Sequence, residues 1–126
     1  MNKESSEQRA RDFQALPAPQ SCRVIDFEIA QVVSLPTQPP KHVLVVSGEA
    51  PYAGMKISLE PLVYIRQPEY WGIEVVGCLT GGGAAVLTPY VVHLNLEGRI
   101  GTRGIAVIGA NRSENINISG HSAEQE

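Results

Sequence analysis

The groups most able to do chemistry crowd into the stretch Gln67–Gly77, QPEYWGIEVVG. It holds the only Trp, Trp71, with Tyr70 beside it, and the carboxylates Glu69 and Glu74 among apolar residues; Arg66 stands just before it. Two carboxylates can divide acid and base roles when their surroundings separate their pKa values. Ile73, Val75 and Val76 flank Glu74, and a carboxylate buried among such residues must pair or shift its pKa. The plainest partner is a cross-strand cation such as Arg103. Tyr70 and Trp71 could form a flat binding platform, but a Trp opening a strand more often plugs the core, with its Tyr neighbour at the rim.

Among the three histidines, His121 falls in the C-terminal tail, His42 follows a Pro-Pro-Lys turn, and His93 lies in mid-strand on a polar face with Asn95. No second His or Cys stands at i+2 or i+4 from His93, so no metal site is expected. Gly81-Gly82-Gly83 suggests a phosphate loop, but Ala84-Ala85-Val86 supplies neither the Lys-Ser or Lys-Thr nor the helix that such loops need. A mobile hairpin loop is expected there. Ser47 and Ser58 lack a nucleophile elbow. Asn111 and Asn117 match the glycosylation acceptor pattern, which is short enough to recur by chance. Arg66, Glu69, Tyr70, Glu74, His93 and Arg103 therefore stand as candidate ligand-binding residues. None is assigned as catalytic, and no cofactor or metal is expected.

The elements that would position these groups read as strands. Ile25-Asp26-Phe27-Glu28-Ile29 alternates apolar and acidic residues, so the three apolar ones share a face of a strand from about Cys22 to Val33. Pro36, Pro39 and Pro40 break the chain. His42–Ser47 is nearly continuously apolar, as a strand covered on both faces or one in the middle of a sandwich would be. Met55–Glu60 alternates, Pro61 interrupts as a bulge or edge residue, and Leu62–Arg66 resumes as strand. Tyr70–Leu79 follows, with Trp71, Ile73, Val75, Gly77 and Leu79 on one face and Tyr70, Gly72, Glu74, Val76 and Cys78 on the other. Val86–Leu96 and Thr102–Gly109 are further strands, and Asn115–Ile118 a short edge.

About seven strands with short loops leave no room for the helical crossovers of a parallel sheet. The expectation is all-β: one antiparallel sandwich or small, partly closed barrel over residues 21–118, with a flexible tail at 1–20 and an acidic tail at 119–126. The chain's 126 residues fit one domain.

Charge excludes some partners. Residues 21–112 carry seven basic and seven acidic side chains, and the net −3 comes from Glu114, Glu124 and Glu126. No basic stripe exists for nucleic acid. No apolar run reaches the roughly 18 residues of a membrane span, and Met1–Gln20 has no apolar signal core. A cytoplasmic protein is the default; Cys22 and Cys78 could make one bridge, but with no CxxC or Cys/His spacing buried free thiols are expected.

Function is expected to be non-catalytic: a binding or assembly module working through a β surface and self-associating, with a protein partner as a further option. The apolar runs at 43–46 and 104–109 exceed what one half-covered sheet needs. The alternative is a small enzyme or small-ligand carrier with a polar pocket at one end of the barrel, built from the six candidates. A third reading uses residues 1–20 as a tether.

Overall fold

The period-two runs form eight strands in the computed structural model, which describes residues 19–118. The tails expected at 1–20 and 119–126 lie outside the described residues except for Pro19 and Gln20, and Gln20 opens the first strand. Strands β1 (Gln20–Val24), β4 (Lys56–Pro61), β5 (Tyr70–Thr80), β7 (Gly104–Ile108) and β8 (Ser113–Asn117) make one sheet. Strands β2 (Ile29–Leu35), β3 (Lys41–Ala50) and β6 (Thr88–Asn95) make the other, in the order β2-β3-β6. The sheets pack face to face and no barrel closes, so the fold is an all-β sandwich.

β5 organises the larger sheet. One of its edges pairs with β4. The other is shared: β7 lies along Tyr70–Glu74 and β1 along Val76–Thr80. At the junction, the Val75 carbonyl accepts the Ile25 N–H at 2.9 Å. The β5–β7 pair is parallel, unlike every other pair among the described strands. No helix is needed for this crossover, because the chain passes through β6 of the opposite sheet on its way from β5 to β7. For the same reason Gly81–Gly83 does not close a hairpin: β5 and β6 belong to different sheets.

The inner faces build the core. Ile73 and Val75 of β5, Ile105 and Val107 of β7, and Leu44 and Val46 of β3 are fully buried, with Leu96 beside them. Each contributes about 1.5–3 kcal/mol by leaving water. The Ile105–Val107 run is therefore consumed inside the chain and is no surplus, whereas Val43 and Val45 of β3 face away from the core, half-buried.

Three other expectations change. The strand expected over 22–33 is two strands in different sheets, with residues 25–28 as the crossing. Ile25 and Phe27 are buried, but Ile29 turns outward and is 58% exposed. Polar anchors fix the crossing: the Asp26 carboxylate accepts from the Asn111 N–H (3.1 Å) and from its amide (2.9 and 2.8 Å), and the Tyr90 hydroxyl donates to the Asp26 carbonyl at 2.7 Å. Arg112 stacks on the Phe27 ring, 4.2 Å from its centroid, and donates to the Glu28 carbonyl. Second, Leu62–Arg66 is loop, because β4 ends at Pro61 opposite Ile73. Third, Cys22 and Cys78 are not free thiols. They face each other in the β1–β5 register and form a disulfide across a separation of 56 residues. Their distance along the chain gave no hint of this, since only strand pairing brings them opposite.

Candidate functional site

The six candidates fall into separate places. Glu69, Tyr70 and Arg103 come together at the corner where β5 and β7 start side by side. Gly104 pairs with Tyr70 in register, and the Glu69 carbonyl accepts the Arg103 N–H at 2.9 Å. This turn draws the Arg103 guanidinium to within 3.1 Å of the Glu69 carboxylate. The Tyr70 hydroxyl donates to Asn117 Oδ1 of β8 at 2.6 Å. Both members of the ion pair are well exposed, at 64% and 59%, so solvent leaves them worth at most about 1 kcal/mol. The corner is a polar clasp joining three strands.

Glu74 does not pair with Arg103. Four residues along β5 from Tyr70, it stands about 13 Å away at the usual strand rise. It faces Glu60 of β4 directly across the ladder. Glu60 accepts a hydrogen bond from the Ser58 hydroxyl at 2.7 Å. Arg66 is exposed on the loop between β4 and β5. Tyr64 of that loop packs edge-on against Trp71 with ring centroids 5.1 Å apart, and Trp71 Nε1 donates to the Leu62 carbonyl at 2.9 Å. Trp71 is thus a partly buried core residue that also pins this loop. His93 lies on the other sheet, exposed on the outer face of β6.

Two shallow hollows lie near the β1 end of the sandwich, and neither is lined by any of the six candidates. One, of about 280 Å³, is bordered by Arg23, Asp26, Glu49 and Leu87. The other, of about 330 Å³, is bordered by Arg23, Tyr52, Met55 and Gly82. Among the described residues no three His, Cys, Asp or Glu side chains converge as a metal site would require. Among them, too, no helix is long and apolar enough to cross a membrane. The Tyr90 phenol is pushed up to about 12 by burial, with the Asp26 and Glu28 charges adding to it. That hydroxyl is engaged in holding the crossing at Asp26, which is a structural role.

The feature that remains is the outer face of the three-stranded sheet. The registers set its rows: Ile29–Ser47–Val91, then Gln31–Val45–His93, then Val33–Val43–Asn95, then Leu35–Lys41. Ile29 (58%) and Val91 (70%) are strongly exposed, and Val33 and Leu35 are exposed too. No Asp, Glu, Lys or Arg stands in the first three rows, while β3 carries Lys41 at one end of this face and Glu49 at the other. Among the described residues no strand covers the face. The near-continuous apolar run of β3 was its visible signal. The β2 share is hidden in the sequence, because the alternation Ile25-Asp26-Phe27-Glu28-Ile29 places Ile29 on the same face as the buried Ile25 and Phe27.

Compared with protein-family models, with curated proteins and with solved structures, the chain has no significant match.

Proposed function

We propose that the protein is a non-catalytic assembly module that self-associates through the outer face of its β2-β3-β6 sheet. The observation that carries this reading is the aliphatic share of that face: Ile29, Val33, Val43, Val45 and Val91 stand on three adjacent strands, interspersed with Gln31, Ser47, His93 and Asn95 and with no Asp, Glu, Lys or Arg among them. Exposed apolar side chains gathered on one sheet face are a common mark of an interaction surface. The alternative, a ligand pocket built from the six polar candidates, gains no support from their placement, since they are spread over two sheets and a loop.

Size sets the expected strength. Three strands spaced by about 4.8 Å and about ten residues long cover roughly 14 by 30 Å, on the order of 400 Å² in projection per copy. A pair of such faces falls below the roughly 1,200–2,000 Å² of a standard stable interface. The association is therefore weak and concentration-dependent.

The test is light scattering and sedimentation across the micromolar to millimolar range. The wild-type mass rises with concentration. Val91→Lys, at an exposed position, keeps the wild-type melting temperature and stays monomeric. A wild-type mass that remains monomeric throughout, or a Val91→Lys variant that associates equally well, overturns the proposal.

A further inference from the structure

We infer that the partner on this face is a second copy of the chain, stacked with its strands antiparallel to the first so that Lys41 of each copy meets Glu49 of the other. The inference rests on the assembly reading and adds its geometry.

Two sheets packed face to face with nearly aligned strands can be related by a two-fold axis in only two ways. If the axis runs along the strands, the strands are parallel and every residue near the axis stacks on its own counterpart. If it runs across them, the strands are antiparallel and the two ends of β3 exchange places. The outer face of β3 reads Lys41, Val43, Val45, Ser47, Glu49. Parallel stacking sets Lys41 over Lys41 and Glu49 over Glu49. Antiparallel stacking centred on Val45 sets Lys41 over Glu49 at both ends, and each copy's Val43 over the other's Ser47. Like charges facing each other across an interface disfavour the parallel arrangement, and unlike charges fix the register of the other.

The remaining rows are compatible with either arrangement, so the choice rests on Lys41 and Glu49. The row Ile29–Ser47–Val91 stacks on the row Val33–Val43–Asn95, and the row Gln31–Val45–His93 stacks on itself. In the antiparallel arrangement Ile29 meets Val33, Val91 meets Asn95, and Gln31, Val45 and His93 each meet their own counterpart. Lys41 and Glu49 are exposed and neither forms an ion pair among the described residues, although Glu49 also borders the hollow it shares with Arg23. The twist between packed sheets swings the strand ends apart, but Lys and Glu side chains are long enough to bridge the offset.

The test is a charge swap, read as the dimer dissociation constant by sedimentation. Lys41→Glu and Glu49→Lys each convert two attractive contacts into two repulsive ones and weaken the dimer by roughly tenfold. The double variant Lys41→Glu/Glu49→Lys restores the attraction with reversed polarity and returns to within about threefold of wild type. All three variants change exposed side chains, so a wild-type melting temperature confirms that they fold. Added salt weakens the wild-type dimer and the double variant alike. A double variant as weak as the singles, in a dimer that Val91→Lys still breaks, overturns this geometry and leaves the assembly reading standing. Neutral singles also overturn the geometry alone, as pairing along the open β2 edge would make them. A wild-type protein monomeric at all concentrations overturns both.

Discussion

Breaking the Cys22–Cys78 bridge should cost this domain a large part of its stability. The bond closes a loop spanning a separation of 56 residues. In the chain-entropy account, a loop of this length removes about 14 cal/mol/K from the unfolded state, or about 4 kcal/mol at room temperature. Domains of this size are stable by only about 5–15 kcal/mol, so the bridge supplies a sizeable share. The folded side sharpens the expectation. β1 has four exposed residues and one half-buried residue, so its side chains bury almost nothing. Its ladder to β5 and the disulfide hold it in place. The perturbation is Cys22→Ser/Cys78→Ser, with urea unfolding as the assay. The expected loss is about 3–4 kcal/mol, and the melting temperature falls by roughly 15 °C. Hydrogen exchange should locate the weakness: the amides of Gln20–Val24 lose protection first, while those of β3 keep theirs relative to the reduced global stability. A loss below about 1 kcal/mol would refute the reasoning, since it would mean that the unfolded chain gains little from being cut open. Protection at β1 equal to that of the core would refute the second half independently.

Two further perturbations probe the core joints. Gly104→Ala forces a Cβ into the Ile116 backbone carbonyl and against Asn117 Cα. Backbone cannot yield as a side-chain tip can, so a loss of at least about 2 kcal/mol is expected in chemical denaturation, together with a loosened Tyr70–Asn117 contact in the NMR spectrum. Tyr90 should make the domain sensitive to alkali. Its phenol is raised from 10.0 to about 12 in the fold, so the unfolded chain ionises first, and stability is intact below pH 10 and lost as the pH climbs through 12. Because the group is only partly buried, solvent screening reduces the loss to the order of 1 kcal/mol. Tyr90→Phe, measured by denaturation at pH 9 and pH 11.5, should flatten that decline while lowering stability at both pH values through loss of the hydrogen bond to Asp26.

Local pattern was enough to read the class of the fold and most of its pieces. Period-two alternation in 55–60, 70–79 and 90–96 reflects a requirement that one side of each strand leave water, so it is legible without knowing the neighbours. The faces of β5 followed from it: Ile73 and Val75 are core, and Tyr70 and Glu74 point the other way. Which pieces meet was settled only in three dimensions. The Cys22–Cys78 bond, the parallel β5–β7 pair and the Glu69–Arg103 ion pair in place of Glu74–Arg103 all depend on partners far apart along the chain. Nothing in a local pattern encodes such pairings. The break at residues 25–28 was concealed for a related reason. Ile25, Phe27 and Ile29 alternate perfectly, yet the Asp26 carboxylate, gripped by Asn111 85 residues later, turns the chain from one sheet to the other between them. That turn sends Ile29 outward and completes the apolar face. The Gln67–Gly77 stretch draws attention because it gathers aromatic and acidic side chains, but Tyr70 and Trp71 hydrogen-bond within the fold, Glu69 forms an exposed ion pair, and Glu74 faces Glu60 across the ladder. The plain aliphatic residues of β2, β3 and β6 are left facing water, because no strand among the described residues covers them.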